Sequence, residues 1–109
     1  MKDTNPDQTD AREATILLYA QLMIEAQALG AALLDHDADD AHARAIQIAS
    51  VARSRELTGV ALLADDLAQR IAKRRDRPGV GVGGAYEELT ETLEQLLNDA
   101  EAAGPVKNG

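Results

Sequence analysis

The chain has 109 residues, 45% of them hydrophobic, and 11 Lys and Arg against 19 Asp and Glu, a formal net charge of −8. That length sets one domain as the expectation, and the acidic balance repels phosphate backbones, which argues against nucleic acid as a partner. There is no cysteine, so disulfides, thiolate chemistry and cysteine-based zinc sites are excluded.

Phe and Trp are absent and the aromatics are Tyr19 and Tyr86, so any core is aliphatic. Ala and Leu outnumber β-branched residues, which favours helix over strand. No stretch approaches the ~20 apolar residues that a membrane span needs. The N-terminal MKDTNPDQTD lacks the apolar segment of a secretory signal. The expectation is a cytoplasmic protein that binds neither membrane nor nucleic acid.

In chain order, residues 1–10 read as a disordered polar tail holding Pro6. Asp10 with Glu13 fits a capping box, and a first helix is expected from Ala11 to Leu34. Its apolar set is broad: Ile16, Leu18, Leu22, Met23, Ala26, Leu29 and Leu33. This longest helix is expected to break near Gln21–Glu25. Next comes the run from Asp35 to His42, with four Asp and two His. Oxygen and imidazole donors suit several divalent ions. The spacing matches no metal motif, however, and Asp37 or Asp39 serves equally as the N-cap of a second helix, with His36 closing the first. No metal and no cofactor are expected.

The second helix spans about Asp39 to Arg55, with Ala41, Ala45, Ile48 and Ala52 at core spacing. On its other side Ile46, Ser50 and Arg53 form a second row, in which Ile46 is the one large apolar residue. A third helix starts near Thr58 as N-cap and runs to about Arg75. Leu57, Val60, Ala64, Leu67 and Ile71 form its inward stripe. Lys73, Arg74, Arg75 and Arg77 complement its carbonyl end, and Pro78 stops it. The glycine-rich run from Gly79 to Gly84 follows a helix and lacks the strand and Lys-Ser/Thr pair of a phosphate loop, so it reads as a connector. A fourth helix covers Ala85 to Ala102, with Tyr86, Leu89, Leu93, Leu96 and Ala100 inward and Glu87, Glu88, Glu91 and Glu94 outward. The expected fold is all-α, an antiparallel up-down-up-down four-helix bundle over residues 11–103, with a tail at 104–109. No Ser–His–Asp, HExxH or Glu-x-x-His pattern occurs, so no enzyme activity is expected.

From Ala31 to Ile71 the chain resembles the histidine phosphotransfer (HPt) domains of two-component signalling. Their pattern is a helix ending in Gly-Asp, a helix carrying Ala-His-x-Leu-Lys-Gly-Ser-Ala, and a leucine-rich third helix. Aligned with it, Asp37 takes the place of the Asp, Ala45 of the first Ala, Ile48 of the Leu, and Val51 and Ala52 of the Ser-Ala. The third helix fits Glu56 to Ile71. The departures are Ile46 for the phosphorylated His, Ala49 for the Lys and Ser50 for the Gly, with Arg55 and Glu56 where the family has an apolar residue and Gly. Isoleucine has no nucleophile to attack a phospho-aspartate. The resemblance therefore implies a degenerate member that binds a response-regulator receiver domain or a histidine kinase through Ala43, Ile46, Gln47, Ser50 and Arg53. Two alternatives stay open. One is a working phosphotransfer protein using His42, one turn before Ile46. The other is a self-associating helical module, with a weak homodimer.

Overall fold

In the computed structural model, residues 6–73 and 81–102 are described, with side chains from Ala11 onward. Two three-residue corners, 35–37 and 55–57, set the path of the chain, and they are built alike. At the first, His36 takes a left-handed φ of 59°. Its N–H donates to the Leu33 carbonyl at 3.1 Å and that of Asp37 to the Ala32 carbonyl at 2.8 Å. At the second, Glu56 has φ 62°. Its N–H reaches the Arg53 carbonyl at 3.1 Å, and that of Leu57 reaches Ala52 at 2.8 Å. Both are Schellman ends, which satisfy carbonyls that a helix terminus otherwise leaves bare. Each also starts the next helix. Asp37 Oδ1 accepts from the Asp40 N–H at 3.1 Å, and the Leu57 carbonyl accepts from Ala61 at 2.9 Å.

Four helices result: α1 (Pro6–Leu34), α2 (Ala38–Ser54), α3 (Thr58–Lys73) and α4 (Val82–Ala102). The described residues include no strand. α1 packs on α2 and α4, α2 on α3, and α3 on α4, while neither diagonal pair approaches closely. That closed ring is a four-helix bundle. Its centre holds Leu22, Ala26 and Leu29 of α1, Ala45 and Ile48 of α2, Val60, Leu67 and Ile71 of α3, and Leu89 and Leu93 of α4. α2 buries four alanines, Ala41, Ala45, Ala49 and Ala52, around one large residue, Ile48, so its neighbours pack close to its backbone. Of the large residues expected inside on α3 and α4, Leu57, Tyr86 and Leu96 are only partly buried.

The helix limits differ from the expectations in four places. α1 starts at Pro6, not Ala11, so Asp10 lies within it and does not cap it. Proline suits a first helical position, where its ring presets φ and no N–H is required. α1 is also unbroken through 21–25. The polar residue there, Glu25, meets Arg44 of α2 at 3.0 Å, so the interruption in apolar sequence is a cross-helix ion pair. α3 takes Leu57, not Thr58, as the residue whose carbonyl accepts its first bond. α4 begins at Val82, within the expected connector. Residues 1–5, 74–80 and 103–109, with Arg74, Arg75 and Arg77 of the expected basic cluster, Pro78, Gly79 and both tail ends, lie outside the described residues.

A further correction concerns hydropathy. Ala11–Leu34 is long and apolar enough to cross a membrane by length and composition. This overturns the expectation that no stretch approaches that length: Gln21, Glu25 and Gln27 interrupt a run that is still strongly apolar on average. α1 is apolar on all sides, and Leu17 (61% exposed), Ile24 (64%) and Leu34 (83%) point away from the core.

Candidate functional site: the outward face of α2

One residue advances ~100° around a helix, so burial of Ala45, Ile48 and Ala52 turns 43, 46, 47, 50 and 53 outward. Ala43, Ile46, Gln47, Ser50 and Arg53 are all exposed and share one side of α2. Ile46 is 46% exposed beside the fully buried Ala45 and Ile48. The centre of this face is small, neutral and level around one branched apolar side chain.

Ion pairs border it on both sides. Arg53 Nη1 donates to Asp65 Oδ2 of α3 at 3.0 Å, and Nη2 to Oδ1 at 3.4 Å. On the opposite edge Arg44 bridges Asp40 of its own helix and Glu25 of α1, both at 3.0 Å. These bonds, with that to Asp40 the largest cause, hold the Arg44 guanidinium above its ordinary range. Such solvated pairs contribute little stability each. They tie α2 to α1 through Glu25 and to α3 through Asp65, one on each side of the face.

The acidic corner is engaged otherwise. Asp37 caps α2 and Asp40 binds Arg44. Among the described residues no three His, Asp or Glu side chains converge as metal ligands would. His36 is exposed at the corner and His42 is half-buried on α2. His42 stands one turn before Ile46 on the same side of α2, at the edge of the row and less exposed than Ile46 and Ser50.

Ala49 departs from the aligned pattern. It is fully buried, whereas the HPt pattern puts a lysine at this place. A lysine there would carry its charge into the core, at a cost of several kcal/mol unless paired.

Sequence reasoning missed a second surface. Between α1 and α4 lies an open apolar groove of about 630 Å³, lined by Gly30, Ala31, Leu34, Val82, Gly83 and Tyr86 among others. The Tyr86 hydroxyl crosses to α1 and donates to the Ala26 carbonyl at 3.0 Å. The groove is continuous with the exposed apolar side of α1. Its sequence signal was the all-round apolar character of α1, which has no preferred direction to show which side faces out.

No protein-family model, curated protein or solved structure matches this chain.

Proposed function

We propose that the protein is a non-catalytic binding module of HPt type, whose α2 face docks a response-regulator receiver domain or a histidine kinase. The observation that carries this reading is the half-exposed Ile46, set in a neutral row with Ala43, Gln47 and Ser50 at the place of the phosphorylated histidine. Ile46 is the one large apolar side chain of this row, and in this reading it is the group that enters a pocket of the partner. In this reading Ile46 fills the space where an imidazole would reach a phospho-aspartate, so the module occupies its partner without taking phosphate.

The corners add support. The aligned pattern has glycine at two places, just before Asp37 and at Glu56. Both residues here, His36 and Glu56, hold positive φ, the conformation for which glycine is the usual choice. Asp37, aligned with the Asp of Gly-Asp, caps α2. The short corners at 35–37 and 55–57 suit an up-down-up-down path of antiparallel helices, and a cytoplasmic location goes with the partner class.

The test is binding of the protein to receiver domains and kinase dimerisation domains from its host, by calorimetry, with wild type and Ile46→Asp. Expected are binding by wild type, its loss in the variant, and no phosphate uptake from a charged receiver. Wild-type phosphorylation abolished by His42→Ala overturns the reading in favour of a working phosphotransfer protein. Absence of binding to every receiver and kinase tested removes the proposed partner class.

A further inference from the structure

From Ala14 to Leu34 the only charged residue of α1 is Glu25, and Glu25 is turned to Arg44 of α2. The outward side of this stretch is therefore uncharged on a chain whose net charge is −8. It carries a heptad: Leu17, Ile24 and Ala31 at one position, Ala20, Gln27 and Leu34 at the other. Such spacing forms a seam between paired helices. The outward side of α4, by contrast, carries the exposed Glu87, Glu88, Glu91 and Glu94.

We propose that this side of α1 binds a second copy of the chain, antiparallel, about a two-fold axis near Ile24. Two arguments select that occupant. The first is charge: two copies with eight surplus negative charges each repel, and they meet with least repulsion through an uncharged face. A basic partner has the glutamates of α4 to prefer. The second is self-complementarity. An antiparallel heptad pairs Leu17 with Leu34 of the second copy, Ala20 with its Ala31, and Ile24 with its Gln27. The projecting Leu17 then reaches the mouth of the other copy's groove beside Leu34, Gly83 and Tyr86, and the symmetry repeats the contact. The small Ala20 and Ala31 meet at the layers between, which lets the helices approach. Size sets how tightly it is held. Leu17 to Leu34 spans about 27 Å at the helical rise, and a helix is about 10–12 Å wide. Both copies together then cover roughly 600 Å² by this footprint, below the ~1,000 Å² of stable specific interfaces, so the dimer is weak and reversible.

A bilayer is the rival for an apolar helix of this length. It fits less well, because insertion would strip Leu22, Ala26 and Leu29 from the buried core. It would also carry Glu25 toward the membrane centre, at high cost.

The experiment is sedimentation equilibrium of the full chain from about 1 µM to 1 mM. A monomer–dimer equilibrium is expected in the wild type. Ile24→Glu, and independently Ala31→Glu, should weaken it at least about tenfold while leaving the circular-dichroism melt in place, because both side chains are exposed. The chain has no cysteine, so orientation is read by disulfide trapping. Leu17→Cys mixed with Leu34→Cys should form the mixed disulfide in preference to either symmetric one. Preference for the symmetric disulfides overturns the antiparallel pairing. A monomer at all concentrations, or a dimer insensitive to both glutamates, overturns the interface. Monomeric protein that binds neutral phosphatidylcholine vesicles through the same residues overturns it in favour of lipid.

Discussion

Gly30 of α1 lies directly under the ring of Tyr86 of α4. A methyl group built on Gly30 would stand 2.8 Å from Tyr86 Cζ and closer still to the hydroxyl. Glycine at 30 is therefore what lets the ring cross to α1 and donate to the Ala26 carbonyl. In a helix interior glycine costs about 1 kcal/mol relative to alanine, so Gly30→Ala sets a local gain against a displaced tyrosine. The displacement breaks one hydrogen bond, about 0.5–1.5 kcal/mol, and uncovers part of the ring. Overpacking costs typically reach about 1–3 kcal/mol. Gly30→Ala should thus lower stability by about 1 kcal/mol in denaturant melts. In a Tyr86→Ala background the clash is gone and the same change should raise stability. A sign that does not reverse between the two backgrounds would show that Tyr86 is not what requires the glycine.

Tyr86 also makes the bundle sensitive to alkali. Burial pushes its phenol above its ordinary value of about 10. The unfolded chain then loses this proton at lower pH than the folded one. Between the two pKa values the folded state binds more protons, so stability falls as pH rises. The contribution is fully present below the unfolded pKa and is lost as pH rises through the folded one. Tyr19→Phe leaves Tyr86 as the one tyrosine, and its tyrosinate absorbance should have a midpoint above 10 in the native protein. Tyr86→Phe should flatten the fall of melting temperature above that pH.

The corners yield a third expectation. His36 and Glu56 hold left-handed φ of 59° and 62°, which costs a residue with a Cβ about 1–2 kcal/mol. Glycine removes that cost but adds freedom to the unfolded chain. His36→Gly and Glu56→Gly should each stabilise by about 0.5–1 kcal/mol. The sites stand at opposite ends of α2, so the gains should add. Asp37→Ala is the opposing control: it removes the bond to the Asp40 N–H and should cost about 0.5–2 kcal/mol. A destabilising glycine at both corners would mean the φ values are wrong.

The inner faces were legible because periodicity reports burial directly. Ala41, Ala45, Ile48 and Ala52, and likewise Val60, Ala64, Leu67 and Ile71, are all inside. Limits were harder to read where local preference and packing disagree. Gly83 and Gly84 are poor helix formers, yet both are in α4, where Val82 and Ala85 are buried and the Ala85 N–H donates to the Gly81 carbonyl at 3.0 Å. Tertiary burial overrides propensity there. α1 shows the opposite failure. With apolar residues on all sides it has no amphipathic direction, so only the packed neighbours reveal that Leu17, Ile24 and Leu34 face out. On α2 the spacing of Ala41, Ala45, Ile48 and Ala52 pointed to an outward row with Ile46 and Ser50, but a rotated helix with Ile46 in the core read almost as well; packing leaves Ile46 46% exposed. The burial of Ala49 was not legible, since an alanine is equally at home on either face.

That burial changes how a phosphoacceptor is best installed on α2 to test the proposed HPt reading. Copying the HPt pattern in full would combine Ile46→His with Ala49→Lys and Ser50→Gly. Ala49 is fully enclosed, so its lysine would be driven into the core and should destabilise the bundle by about 2 kcal/mol or more. A failure of the triple variant would then report misfolding rather than chemistry. Ile46→His with Ser50→Gly avoids this, because both side chains lie on the exposed row. The imidazole would stand in solvent, and glycine one turn on would clear the approach of a phospho-aspartyl partner. The double variant should melt within about 1 kcal/mol of wild type, with glycine in the helix accounting for most of the loss. With a radiolabelled receiver it should take up phosphate that is stable in alkali and released by acid, as a phosphohistidine is, while wild type takes up none. Uptake by the double variant that persists in Ile46→Gln/Ser50→Gly, but disappears with His42→Ala, would assign the label to His42. A folded double variant that stays unlabelled by receivers that bind the wild type would show that the row around Ile46 is not placed like a phosphotransfer face.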